Sequence, residues 1–269
     1  MAITAAMVKE LRERTGLGMM DCKKALTEAD GDMEAAIEAL RKSSALKAAK
    51  KSGRTTADGL LGIKVSEDGS KGTVVEVNIE TDFAAKNEKF IAYVDEVLEA
   101  AFAAGANDVA SIMAGDLDAK RESLVQEIGE NITVRRAASL ETADGFVTSY
   151  VHSDNRKAVL VELDKADEEL GRDLAMHITA INPMVVTSAE VPDDVLAKER
   201  EIYSSQAAES GKPADIVEKM VEGRVRKFLA EVSLVDQPFV KDGNVKVSQL
   251  LKDKGNACRR FVRFEVGEG

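Results

Sequence analysis

The chain has 269 residues, 44% of them hydrophobic but only 4% aromatic and none tryptophan, so a core can form and must be built from Ala, Val, Leu, Ile and Met. A net charge of −11 argues against broad contact with phosphate backbones, and no direct nucleic-acid partner is expected. Cys22 and Cys258 lie far apart with no zinc spacing, no basic-then-apolar leader opens the chain, and no run of about eighteen apolar residues could span a membrane; a cytoplasmic chain with reduced thiols and no membrane partner is expected.

The charge is uneven. Residues 1–56 carry 11 Lys/Arg against 8 Asp/Glu, a net of +3, which leaves −14 for the rest. That first segment reads as three short helices. Thr4 suits an N-cap, with Val8 and Leu11 apolar at a spacing of three. Thr15-Gly16-Leu17-Gly18 breaks the first helix, and Asp21 opens a second carrying Cys22, Ala25 and Leu26. After Asp30-Gly31, Asp32 caps a third helix with Met33, Ala36, Ile37 and Leu40 inward. Residues 47–56 (KAAKKSGRTT) read as a basic, then small and polar, linker.

Branched strands follow at 60–65 and 73–79, joined by a turn at Asp68-Gly69-Ser70. A long Ala-rich helix is predicted from about Asp82 to Ala104. The pattern then recurs at an offset of 86 residues. Asp58-Gly59-Leu60 returns as Asp144-Gly145-Phe146, and Val74-Val75-Glu76-Val77 as Leu160-Val161-Glu162-Leu163. The turn residue Asp68 meets Asp154, and a helix is predicted at about 167–180. Each half closes on a strand with paired arginines, Arg135-Arg136 and Arg259-Arg260. Between Pro192 and Pro238 lies an inserted helical hairpin. One arm holds Val195, Leu196, Ile202 and Tyr203, and a turn falls at Ser210-Gly211-Lys212-Pro213. The return arm holds Val217, Val221, Val225, Phe228 and Val232 as an apolar seam. The expected class is α+β: a three-helix bundle and linker (1–54), then two related halves (55–140 and 141–269) with antiparallel sheets and helices, the hairpin inserted at about 192–236.

Catalysis needs a constellation, and none assembles here. Neither His152 nor His177 has a metal partner at the right spacing, and Gly16 and Gly18 follow no strand, so no dinucleotide loop is expected. Glu76 and Glu80 alternate along a strand and are read as solvent-facing; a metal-dependent site with Asp82 is a lesser alternative. No catalytic residue, cofactor or metal is expected. A binding protein remains. Its distinctive point is Thr81-Asp82-Phe83, where Thr81 ends a strand and caps the next helix while Asp82 suits the helix dipole. Phe83 in the first turn fits either a core or an exposed wedge, and exposure would forgo about 2–3 kcal/mol of burial. The second half has Asp167 near the matching place, followed by Glu168-Glu169 and no aromatic.

The runs VKELRERTGLGMMDCKKAL (8–26), VEVNIETDFAAKNEKF (75–90), AMHITA (175–180) and FVRFEVGEG (261–269) closely resemble the bacterial elongation factor Ts family. The resemblance covers the chain in order, including the hairpin. It implies a guanine-nucleotide exchange factor in translation elongation. Its partner would be elongation factor Tu, GDP-bound and nucleotide-free. The first bundle would be a ubiquitin-associated-like (UBA-like) domain docking on the GTPase domain of Tu. Thr81, Asp82, Phe83 and Ala84 would enter that domain, dislodge the Mg²⁺ of Tu and shift its phosphate loop. His177, Leu17, Met19 and Met20 are the further contacts implied. The hairpin would be the family's coiled-coil module, a route to a homodimer or heterotetramer. Longer members continue into a further C-terminal helix, and many have Gly in the turn that here reads His152-Ser153-Asp154-Asn155. A passive ribosome-associated or chaperone-like binding module is the alternative.

Overall fold

A computed structural model describes residues 2–105, 107–209 and 213–268. In chain order the elements are α1 (Ala5–Thr15), α2 (Met19–Glu28), α3 (Met33–Lys51), β1 (Asp58–Val65), β2 (Lys71–Ile79), α4 (Asp82–Ala85), α5 (Glu88–Ala104), α6 (Val109–Ile112), α7 (Asp116–Ile128) and β3 (Ile132–Glu141). The second half has β4 (Phe146–Val151), β5 (Lys157–Leu163), α8 (Glu168–Ile181), α9 (Asp193–Ala208), α10 (Ala214–Val232), β6 (Pro238–Phe239), β7 (Asp242–Lys246), α11 (Val247–Asp253) and β8 (Cys258–Glu265). The class is the α+β one expected: helices first, then antiparallel sheets covered by helices.

Local signals explain the bundle. Thr4 and Asp32 cap α1 and α3 with their side chains, which accept from the N–H groups of Met7 and Ala35. Gly16 ends α1 at φ +71, a left-handed stop that explains the glycine without a nucleotide. Helix α2 opens at Met19 behind Gly18, two residues before the Asp21 start expected from sequence. Helix α3 runs to Lys51, well into the segment read as linker. The reason is tertiary: Ser44 and Ala48 are buried, and Ala48 joins the core of the first half.

The two halves each build a three-stranded antiparallel sheet, β1-β2-β3 and β4-β5-β8. The sheets face one another across Leu61, Val74, Leu140, Val147, Ala158, Leu160 and Phe264. Their outer faces are covered by helices, α5 and α7 on the first, α8 and α11 on the second. The repeat extends to fine detail. Leu61 N–H donates to the Asn155 carbonyl and Val147 N–H to the Gly69 carbonyl, a pair of bonds related by the same 86-residue offset. Gly69 and Asn155 share the left-handed region, at φ +68 and +55, where Gly and Asn are the tolerated residues.

This double layer overturns the solvent-facing reading of Glu76. Strand β2 is buried on both faces, and Glu76 points with Val74 into the space between the sheets, fully buried. Its carboxylate accepts from Arg136 Nε (2.6 Å), Arg135 Nη1 (3.3 Å), Asn78 Nδ2 (2.9 Å) and Gly267 N–H (2.9 Å). Glu162 in β5 repeats the arrangement with Arg260 Nε (2.5 Å) and Arg259 Nη1 (3.5 Å). Each ladder also slips its register at this glutamate, between Glu76 and Val77 and between Glu162 and Leu163. With its carboxylate committed to two guanidiniums, Glu76 is unavailable to a metal. Among the described residues no group of three or more His, Cys, Asp or Glu could hold one.

The predicted helix 82–104 is two helices. Asn87 is extended and caps α5 by accepting from Lys89 N–H, which isolates α4 as a single turn. The hairpin arms α9 and α10 pack along the expected seam, with Ala207 and Val225 buried. Residues 210–212 of its expected turn lie outside the described residues. Cys22 and Cys258 are free and buried, and burial pushes the Cys258 thiol up to about 12.

Removing Glu76 takes the shared carboxylate from two arginines that keep about 30% of their side chains in water. Glu76→Ala is expected to lower unfolding stability by about 2–4 kcal/mol, at the low side of the range for fully buried pairs. Urea denaturation measures it; a loss below about 1 kcal/mol would show that the pair does not hold the sheets together.

Candidate functional site

Strand β2 leaves the sheet after Ile79, which pairs with Ile132, the first residue of β3. The backbone then turns sharply into α4. Thr81 is extended (φ −129, ψ 155) and its Oγ accepts from Ala84 N–H at 3.3 Å. Ala84 and Ala85 are buried and anchor the turn. Phe83 points the other way and is 82% exposed. The core and wedge readings of this ring were open from sequence; the ring is outside the core. Lys86 lies over the tip, with Nζ 2.9 Å from Asp82 Oδ2 and 5.5 Å from the Phe83 ring centroid. That hydrogen bond is the main cause holding the Asp82 carboxyl below the usual range.

Side chains from the loop before β3 brace the corner. Glu130 accepts from Thr81 N–H (3.0 Å) and Thr81 Oγ (2.8 Å). Glu80 accepts from Asn131 N–H at 2.6 Å and from Arg54 at 3.3 Å. Neither Glu130 nor Asn131 stands out in the sequence, because each acts about fifty residues away from its partner.

The bundle residues separate by burial. Met19 and Met20 are 57% and 74% exposed, whereas Leu17 is buried in the bundle core. Leu17 is therefore a core residue of the bundle and not part of its exposed surface. This surface is tied to the corner's neighbourhood: Lys89, in the first turn of α5, reaches the Gly16 carbonyl at 3.5 Å and pairs with Glu127. Gln126 of α7 bonds Ser44 (2.7 Å) and Asp21 (3.2 Å). Bundle and corner thus sit on one frame.

His177 belongs elsewhere. It is fully buried in the second half. Nδ1 accepts from Val240 N–H (3.1 Å), so the proton sits on Nε2, which donates to Gln237 Oε1 (2.8 Å). Its ring stacks near Phe239 at 6.0 Å. In this structure it shapes the surface around Val240, which is 44% exposed, rather than forming that surface.

Comparison with known proteins then gives the family. Residues 80–268 match the family described as "Elongation factor TS". The chain is 59% identical over 268 residues to "Elongation factor Ts" of Hahella chejuensis, covering all of this chain and 93% of the relative. It is 57% identical to the proteins of that name from Saccharophagus degradans and Cellvibrio japonicus, covering all of this chain and 93% and 92% of those relatives. The chain belongs to the elongation factor Ts family. The family is one of translation elongation factors, and the resemblance read from the four sequence runs was to the right group. No helix among the described residues is long and apolar enough to cross a membrane.

Burial depresses the His177 pKa below its ordinary 6.5, while the Gln237 bond opposes the shift. A depressed folded pKa means the unfolded chain binds the proton more readily, so this stabilisation is present above pH 6.5 and is lost as pH falls below it. Urea midpoints at pH 7 and 5.5 are expected to fall less for His177→Gln than for the parent. Equal falls would show that His177 does not contribute the slope.

Proposed function

We propose that this chain is a guanine-nucleotide exchange factor for elongation factor Tu, with no catalytic site of its own, and that Phe83 is its wedge. The carrying observation is a ring 82% exposed on a braced corner. An apolar ring held out from the body is suited to enter a partner's pocket as a hot spot. Thr81 and Ala84 shape the corner, and Asp82 supplies charge beside the ring.

The repeat supports this reading. At the 86-residue offset Asp167 stands for Thr81, and it caps α8 by accepting from Leu170 N–H as Thr81 caps Ala84. Glu169 stands for Phe83, with its side chain 82% exposed. Both halves project a tip from the same scaffold, and only the first tip is aromatic.

The mechanism is differential binding. Mg²⁺ and a phosphate loop hold the nucleotide on Tu, so a wedge that disturbs both weakens GDP strongly. The factor must then bind nucleotide-free Tu more tightly than Tu-GDP, and by linkage a nucleotide weakens the factor by the same ratio. Met19 and Met20 form a second contact on the bundle, while Leu17 and His177 support contact surfaces from within. The hairpin is the surface through which a second copy would meet the chain.

Phe83→Ala is expected to leave the melting temperature within about 2 °C, since an exposed ring contributes little packing. Release of fluorescent GDP from Tu should slow by about ten-fold or more, the scale of a hot-spot loss. A passive binding module would bind Tu, or ignore it, with release unchanged by the substitution.

A further inference from the structure

We infer that Glu130 is the positioning residue of the Phe83 corner, acting through Thr81; this rests on the exchange reading above. Backbone pairing between β2 and β3 stops at Ile79 and Ile132. Beyond it, side chains continue the ladder in a crossed pair. Glu80 takes Asn131 N–H and Glu130 takes Thr81 N–H. Glu130 takes the Thr81 hydroxyl hydrogen as well, at 2.8 Å. A hydroxyl has one hydrogen, so committing it to Glu130 leaves a lone pair for Ala84 N–H. The cap that starts α4 is thereby fixed by a residue 49 positions away.

The same loop grips the bundle. Asn131 Nδ2 donates to the carbonyls of Ser52 (3.4 Å) and Arg54 (3.1 Å), and Lys51 Nζ donates to the Gly129 carbonyl (2.5 Å). Gly129 closes α7 at φ +88, which turns the chain so that Glu130 faces the corner. Residues 129–131 therefore hold the exit of α3 and the base of the wedge together. With its ring largely in solvent, Phe83 takes its direction from the backbone beneath it. A tip held in place before binding loses less freedom when it enters a partner. Glu130 makes no contact with Tu in this account; it sets where Phe83 points.

The full chain with Tu and fluorescent GDP tests this in stopped flow. Glu130→Ala is expected to cut the release rate at saturating factor by about five-fold, the scale of a lost cap. The half-saturating concentration should stay within about two-fold, because Met19 and Met20 remain in place. Glu130→Gln keeps one acceptor for the two Thr81 donors and should recover part of the rate. In the Thr81→Ala background Glu130→Ala should cost less than it does alone, since the hydroxyl bond is already gone and only the bond from the residue-81 N–H remains to be lost. Phe83→Ala is measured alongside. If that variant is as fast as the parent, the exchange reading fails. If it is slow while Glu130→Ala matches the parent at saturation, or changes only the half-saturating concentration or melting temperature, the Glu130 inference is overturned and the exchange reading stands. A glutamine variant as slow as the alanine one also overturns the route through Thr81.

Discussion

The packing of the two sheets turns on two buried glutamates and the arginines that hold them. Glu76 and Glu162 occupy equivalent places in the repeat, and each is held by an adjacent pair of arginines. The arginines also cross between halves. Arg136 Nη2 donates to the Glu265 carbonyl at 2.9 Å, and Arg260 Nη2 to the Glu141 carbonyl at 2.8 Å. The glutamates lie inside and the guanidiniums at the edge, so the charged groups keep partners while apolar side chains fill the rest of the interface. Reciprocal bonds of this kind specify one orientation of the sheets, which apolar packing alone specifies weakly.

The two halves share this arrangement and differ at one corner. Both halves need a strand-to-helix corner with a cap, and both have one, at Thr81 and Asp167. The residue two places on from the cap is unconstrained by the core in either half. It is a phenylalanine in one and a glutamate in the other. An exposed aromatic costs burial energy that a glutamate does not, and only the first half carries one at this place.

A corner that projects a ring is useful only if it is held still. The crossed pairs Glu80 with Asn131 and Glu130 with Thr81 do this after the backbone ladder ends. Asn131, Lys51 and Gln126 extend the bracing to the bundle. The bundle's Met19 and Met20 and the corner's Phe83 are consequently carried by one connected set of contacts.

How much of this was legible in the sequence follows from the range of each interaction. The caps at Thr4, Asp32 and Thr81, the stop at Gly16, the hairpin seam, the α+β class and the 86-residue repeat all rest on residues near one another or on internal similarity, and sequence determined them. Tertiary structure alone decided the rest. Glu76 alternates like a solvent-facing residue, and only the second sheet buries it. Helix α3 outran the expected linker because α7 covers Ser44 and Ala48. Phe83 had a place in either core or solvent until the buried Ala84 and Ala85 fixed the turn beneath it. Glu130 gave no local signal, because its partner lies 49 residues away. Sequence wrote the corner and its cap; where the ring points, and what holds it there, depended on chain segments that only folding brings together.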